Sequence, residues 1–537
     1  MSEHIAVYSS TAQGAWQDTG VVFATASDLA GCWSALVERN RDATLLLWKA
    51  DEEPVPTVPE VCSLMRRAGA EVLHGGGNTE YASAMPCLRT VHPAYIPLAR
   101  SAMAEFLSSP ELSVQRCAIA PGVLAWAAPP CKQFVSMGGL EFALGWEWLQ
   151  GGVVVRSARA WRRATVYGGP CSFADQLHFM FRFFGSLWTA YAALRLVMAG
   201  ARLATVTEAW RAARGHRCRP QAIRLRRFVE REPLPLESVA VLIPTIDRVP
   251  YLRSTLDHLR HQTHRPVSIV VVDQTPEESR DHQLERDFAD LPLRLIRLEK
   301  AGQSSARNAG LQKIDAAWTL LIDDDVNLPP TLIAQHLALC AALGADASVG
   351  VAVEEGVPAL PEPLRGYRVS PVLNGNNSLV RTATIKGVGG FDLAYDGGSR
   401  ADGDLGVRMQ KAGALMVLDG SNSLFHHHAP RGGLRVHKAR VVTRATARAR
   451  ILGRHPVVPT ELYLSVRHFG EWSAREVRLI RLWSGLRMDG GRLAKLARLT
   501  VGMLRLPFEW RRQSAVELKA RELLQQHPTL DRFDLQA

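Results

Sequence analysis

Long apolar runs are missing from this chain. Nowhere do eighteen apolar residues follow one another, so no membrane-spanning helix is expected. Cysteine is sparse and poorly spaced for chemistry. There are eight, seven of them before residue 220, and no two have the CxxC spacing. That excludes a zinc-ribbon or dithiol redox motif, and scattered thiols suit a reducing compartment. The opening MSEHIAVYSS has neither a basic stretch nor an apolar core. A secretory signal is therefore not expected, and the location reads as cytoplasmic. Acid is short relative to base, with 52 Asp and Glu against 64 Lys and Arg, a net charge of +12. The excess points to an anionic partner, whether nucleotide phosphate, nucleic acid or an acidic membrane surface.

What is present is the composition of an ordinary globular protein, 47% hydrophobic and 22% charged over 537 residues, enough for two or three domains. Composition and patterning predict three regions: residues 1–232, an α/β core over 233–456, and a basic helical region over 457–537. A clear strand end lies in WTLLIDDDVNLPP, Trp318–Pro330, where an apolar run stops in Asp323, Asp324 and Asp325. In an open α/β sheet, ligands bind beyond the carboxyl ends of the strands. Three adjacent carboxylates repel one another, and a divalent cation offsets that cost. Oxygen ligands favour Mg²⁺ or Mn²⁺. The plainer alternative is an acidic turn.

Around this turn, Ser238–Ile243, Val267–Val272 and Leu293–Leu298 read as buried strands. Helices are predicted over Ser254–His261, over Ser304–Gln312 where a serine opens the helix, and from Thr331. The alternation predicts a parallel sheet covered on both faces. Asn422–Phe425 reads as a strand running into His426, His427 and His428. At strand spacing His426 and His428 share a face.

The first region repeats parts of this plan. TLLLWKADEEPVP sets Trp48, Lys49 and Ala50 against the three aspartates. VSMGGLE parallels KGVGGFD, and WRRATVYGG sets Arg162, Arg163 and Ala164 against the histidines. The matches keep their order, which predicts an internal duplication whose first copy has lost its metal ligands. Phe173–Ala204 reads as a buried helix pair, since Arg182 and Arg195 interrupt it too often for a membrane span. Between Arg475 and Arg512, apolar residues from Val477 to Met503 fall at helical spacing among many basic ones. Packing of that stripe on the catalytic domain is the first expectation. Adsorption to anionic lipid, as a peripheral membrane contact, is the alternative.

Six segments then appear in a set order: VAVLIPTIDR, VVVDQTP, AGQSSARNAGL, IDDDV, GNNSLVR with KGVGGFD, and RADGDLGVRM. From Val239 onward the chain resembles family 2 glycosyltransferases of the GT-A fold. The resemblance implies a GT-A, Rossmann-like catalytic domain, preceded by a degenerate GT-A-like domain and followed by a helical region. It implies an inverting, metal-dependent transfer from a UDP-, dTDP- or GDP-linked sugar to a glycan, lipid-linked or other hydroxyl acceptor. Processive members carry membrane spans and QxxRW, and neither is found here, so single-sugar transfer is expected.

The same resemblance distributes roles. Pro244 and Thr245 shape the loop beside the nucleoside, and Asp247 stands where the family has Asn. Asp273 meets the nucleoside, or else caps a helix or closes an Asx turn. Arg307 faces the phosphates, or else forms a structural ion pair. Asp323 lies at the donor ribose or in the metal shell, Asp324 lies at the donor, Asp325 holds the metal, and His428, with His426 next, completes its shell. Asp402 falls at the second position of the family's acidic pair and is the expected base. Ala401 departs from the pattern at the first. Asp404 is the second choice for the base, or else an N-cap. Gly432–Gly433 with Arg431, Arg435 and Lys438 suggest a phosphate lid. Two other classes compete: a non-catalytic nucleotide-sugar or glycan binder, and a nucleotidyltransferase. The latter normally has a glycine-rich phosphate loop after the first strand, which Pro244–Pro250 lacks. No nucleic-acid motif is found, and no nucleic-acid partner is expected.

Overall fold

The computed structural model describes residues 4–50, 54–76, 104–162, 171–215, 237–354, 366–370, 372–430, 432, 457–484 and 491–529. Two compact units emerge. One holds residues 1–227 with 367–369 and 410–415, and the other holds 228–366, 370–409 and 416–537. The helices after residue 457 thus cluster with the second unit.

The first unit is an α/β domain on a seven-stranded sheet of β1 (Ile5–Ser10), β2 (Trp16–Phe23), β3 (Leu45–Lys49), β4 (Val72–His74), β5 (Phe106–Ser108), β6 (Arg116–Ile119) and β7 (Val155–Ala158). Its strand β3 (Leu45–Lys49) follows helix α1 (Ala26–Arg39), which Thr25 and Asp28 close with a reciprocal capping box. Here β3 lies antiparallel to both of its neighbours, β1 (Ile5–Ser10) and Arg116–Ile119. At its end Trp48 is buried, stacked edge-on to Trp161 at 5.6 Å with the Arg116 guanidinium over its ring. Of the three compared segments, residues 51–53 of the first and 163–169 of the third lie outside the described residues.

The expected helix pair is there, Phe173–Phe184 and Ser186–Met198, split at Gly185 with φ +80°. Arg182 has a structural role. Both Glu147 carboxylate oxygens accept from its Nη2 at 2.8 Å, and the pair is buried. Burial nonetheless keeps the Glu147 carboxyl above its ordinary pKa.

In the second unit, β8 (Val239–Thr245), β9 (Ser268–Asp273), β10 (Leu293–Arg297) and β11 (Trp318–Ile322) run parallel, as predicted. Beyond β11 the prediction of a parallel sheet fails. The next strand, Asn377–Arg381, pairs with β11 antiparallel, and the sheet is mixed. Between β11 and the final strands come β12 (Val326–Asn327) and β13 (Ala347–Glu354); with Asn377–Arg381 taken as β14 and Met416–His426 as β15, the order is β10-β9-β8-β11-β14-β13-β15-β12. The strands β8, β9 and β11 are near-continuous Val, Ile and Leu because both their faces are covered.

The helix α2 (Gln303–Gln312) is opened by an acid, not by its serine. Asp396 Oδ1 accepts from the Ser304 and Ser305 N–H groups at 2.8 and 2.7 Å. A side chain at Gly302 would collide with that carboxylate at under 3 Å. The apolar stripe of the C-terminal region also departs from expectation. Val477 and Ile480 are buried, but Leu493, Leu496 and Met503 stand exposed on a separate helix, Arg492–Gln526.

Removing Arg182 leaves a buried carboxylate unpaired, which typically costs about 3–5 kcal/mol. Arg182→Ala should therefore unfold in urea at a distinctly lower midpoint than the parent chain. An unchanged midpoint would show that the pair contributes nothing.

Candidate active site

The site forms where β11 ends. Leaving Ile322, the backbone passes through Asp323, Asp324 and Asp325 before pairing again as β12. The three carboxylates find different partners. Asp324 is buried: its Oδ2 accepts from Thr245 Oγ1 at 2.7 Å and its Oδ1 from Arg248 Nη1 at 2.9 Å. Its carbonyl accepts from Thr255 Oγ1 at 2.8 Å. Burial pushes its pKa up to about 7 against the pull of Arg248.

Asp325 Oδ1 lies 3.1 Å from His426 Nε2, and Oδ2 accepts from the Ala429 N–H at 2.8 Å. Arg248 Nη1 stands 3.2 Å away. Burial works to raise this carboxyl. The hydrogen bond and charge of His426 oppose it, followed by Arg248 and the Ala429 N–H, and together they hold it at about 2. Asp323 is the most open of the three, 29% exposed, with Oδ1 3.3 Å from Arg307 Nη2 and Oδ2 4.0 Å from His426 Nε2. Its recessed position raises its pKa despite Arg307 and His426. For His426, loss of solvent lowers the pKa, but the Asp325 bond and the Asp323 charge outweigh it and the net shift is upward.

Two expectations change here. The repulsion among the aspartates does not by itself call for a metal, because Arg248, Arg307 and His426 already offset it. What carries the metal reading is the donor geometry. Oxygens of Asp323 and Asp325 and a nitrogen of His426 all lie within 4.8 Å of one another. Two hard oxygens and an imidazole fit Mn²⁺ or Mg²⁺.

The histidine in that group is His426, with His428 outside it. β15 pairs with β12 in the register Val326 opposite His426, which sets His426 beside Asp325. The strand stops there, and His428 has φ +53°, so the alternation expected of it is broken. Its Nε2 faces Glu354 Oε1 at 3.1 Å, and its ring lies 4.1 Å from that of His426.

The remaining residues divide. Thr245 and Asp273 sit in register on neighbouring strand ends. Asp273 Oδ1 accepts from the Thr275 N–H at 2.9 Å, so it does close an Asx turn. Pro244 is half-buried within β8, and Asp247 is exposed at φ +56°, its N–H donating to Thr275 Oγ1. Arg307 is both partner to Asp323 and neighbour of the base candidate. A side chain at Gly375 would meet Asp402 Cβ at 3.4 Å and Arg307 Nη2 at 3.6 Å. Asp402 is half-buried, with Oδ1 accepting from the Gly403 N–H and Oδ2 from the Gly375 N–H.

Asp404 is elsewhere. It is fully buried inside the helix Ala401–Lys411, paired with Arg408 at 2.7 Å and with His468 at 2.6 Å. Burial works against its ionisation, but the Arg408 charge and the His468 bond hold its pKa below the ordinary value. That removes it as the alternative base and makes it an anchor of the helix that carries Asp402. Among the lid residues only Gly432 is described, its carbonyl 3.5 Å from Arg248 Nη2. Arg431, Gly433, Arg435 and Lys438 lie outside the described residues.

Arg248 is the residue that sequence reasoning passed over. It closes the segment VAVLIPTIDR, and its signal was positional: an arginine after the turn of the strand next to the acidic one. Arg248→Gln leaves two buried carboxylates without their shared cation. Its metal-free form should melt well below the parent, and Mn²⁺ should raise its melting temperature more than it raises the parent's. Equal Mn²⁺ shifts in the two proteins would refute the counter-ion role. Ligation also requires His426 neutral and Asp323 ionised, both raised in pKa, while Asp325 stays ionised at any working pH. Mn²⁺ affinity, followed by titration calorimetry, should therefore fall as pH drops through the usual histidine range and already weaken slightly above it. A pH-independent affinity would exclude His426 as a ligand.

Comparison with known proteins places the same region. Residues 240–382 match the family model described as glycosyl transferase family 2. Glycosyltransferase GlyA of Streptococcus pneumoniae serotype 4 is 29% identical over 91 residues, 17% of this chain and 13% of its own. The uncharacterized glycosyltransferase YwdF of Bacillus subtilis is 32% identical over 88 residues, 16% of this chain and 32% of its own. The chain thus spans less than a third of the length of these curated relatives. Among solved structures, the mannosyltransferase PcManGT of Pyrobaculum calidifontis, in complex with GDP-Man and Mn²⁺, aligns at 20% identity with TM-score 0.36, covering 63% of this chain and 98% of that one. The family match takes in Thr245, Asp273, Arg307 and the three aspartates and ends before Asp402 and His426. Over residues 240–382 the chain carries a glycosyl transferase family 2 domain.

Proposed function

We propose that the second unit is an inverting, non-processive glycosyltransferase that moves one sugar from a nucleotide-diphosphate donor to a hydroxyl on a glycan or lipid-linked acceptor, in polysaccharide or glycoconjugate synthesis. The observation that carries the reading is the grouping of Asp323, Asp325 and His426 within 4.8 Å, with Arg307 spanning from Asp323 to the neighbourhood of Asp402. A donor end and an acceptor end are thereby set on either side of one arginine.

The chemistry follows from charge. The acceptor oxygen attacks the anomeric carbon, the bond from that carbon to the diphosphate oxygen breaks, and the electron pair leaves with the nucleoside diphosphate. Asp402 takes the acceptor proton as the new bond forms. Attack from the face opposite the leaving group inverts the anomeric centre. The Arg307 guanidinium faces the negative charge that grows on the diphosphate. A divalent ion held by Asp323, Asp325 and His426 would supply further Lewis-acid stabilisation there. Thr245 and Asp273, on adjacent strand ends, border the nucleoside side. The first unit is read as a non-catalytic domain, because Trp48 fills the end of its corresponding strand and Lys49 follows it.

Asp402→Asn should lower kcat by roughly 10²- to 10⁴-fold, the usual range for a general base, while calorimetry finds Mn²⁺-dependent donor binding intact. Loss of donor binding in that variant would end the assignment. Asp325→Ala should abolish all Mn²⁺-dependent nucleotide binding by the full chain. Residual tight binding would reveal a second site and overturn the non-catalytic reading of the first unit.

A further inference from the structure

We infer that the first half of the helix Arg492–Gln526 docks in the plane of an anionic lipid bilayer. The helix has two different halves. Its far half is packed: Ala520 is buried in a cluster with Val457, Leu462, Ala474 and Val477, and Val516 rests against it. Its near half is not. Leu493, Leu496, Met503, Leu504 and Phe508 are 85, 62, 53, 78 and 65% exposed. At 3.6 residues per turn these positions fall on one broad face. A contiguous apolar face of this kind marks an interaction site rather than ordinary surface.

Charge selects the occupant. Arg498 and Arg505 stand seven residues apart on one side of the helix, beyond an edge of that face, and Arg512, next in the series, is paired with Glu509 at 3.7 Å. From Gly491 to Phe508 there is no Asp or Glu. A second copy of this chain would bring the same excess of base, since the first carboxylate after Gly491 is Glu509, which Arg512 already engages. A bilayer with anionic headgroups offers hydrocarbon for the leucines and phosphates for the rim, which is the pattern of an interfacial helix. Crossing the bilayer is excluded by the same arginines, and no helix among the described residues is long and apolar enough to span. Pro507 lies inside the helix, close to where the exposed half gives way to the packed one. The docking reading does not depend on the glycosyltransfer reading, since none of these residues belongs to the candidate site.

The test is flotation of the full chain with vesicles. It should rise with vesicles of phosphatidylcholine mixed with phosphatidylglycerol, stay behind with phosphatidylcholine alone, and be released by high salt. Leu504→Glu with Phe508→Glu should abolish flotation. The double change Arg498→Gln, Arg505→Gln should lower the partition coefficient by roughly thirtyfold. All three kinds of protein should melt alike and turn over soluble donor alike, which separates a failure of docking from a failure of the catalytic reading. Absence of the parent chain from anionic vesicles would overturn the inference. So would equal flotation with neutral vesicles, or a dimer seen by light scattering that Leu504→Glu dissolves without any vesicle binding.

Discussion

The second unit depends on how three adjacent carboxylates are kept at one strand end. Their mutual repulsion is met by Arg248 between Asp324 and Asp325, by Arg307 at Asp323, and by His426 at Asp325. The division of labour is uneven. Asp324 is buried and also accepts from Thr245, so it ties β11 to β8, the strand beside it. Asp323 and Asp325, on the same stretch of backbone, stand with His426 as a group that could hold a metal ion.

Strand register does the rest of the positioning. β12 is only two residues long, yet its pairing with β15 sets Val326 opposite His426. A shift of one residue would turn His427 toward the aspartates instead. The His427 N–H and the Ala429 N–H both donate to Asp325, so the segment after β15 is fastened to the residue whose charge it serves. His427 itself faces Asn327 Oδ1 at 3.0 Å, which fixes the register from its other side.

Much of this was legible from residue types. Buried parallel strands announce themselves as short runs of Val, Ile and Leu, and β8, β9 and β11 fall within two residues of their expected bounds. What stayed hidden was pairing. No local pattern tells that Asn377–Arg381 runs antiparallel to β11, because direction is set by the connections and not by the strand's own sequence. The choice between His426 and His428 was lost for a related reason. Alternation holds only while the strand continues, and the left-handed backbone at His428 ends it. Asp404 shows the opposite error. As a carboxylate beside Asp402 it looked chemical, and only its enclosure by Arg408, His468 and Tyr395 identifies it as structural. Arg248 escaped because its partners lie more than seventy residues away in the chain.

The enclosure of Asp404 bears on how the C-terminal helices relate to the chemistry. His468 belongs to the helix Pro459–Phe469, and its ring reaches Asp404 on the helix that begins with Ala401 and Asp402. From the same helix Tyr463 donates to Asp392 at 2.8 Å, just after the segment that Asn308 holds through paired hydrogen bonds to Phe391. A side chain from outside the matched family region therefore supports each flank of Asp402. The base candidate sits on one short helix whose first turn needs that support, since among the described residues Asp402 bonds to the N–H groups of two glycines, Gly375 and Gly403. A carboxylate must hold its place within a fraction of an ångström to accept a proton as a bond forms. Behind this helix stand buried ion pairs and tyrosines, and the helices that follow residue 457 are accordingly part of the same compact unit as Asp402 rather than an appendage to it.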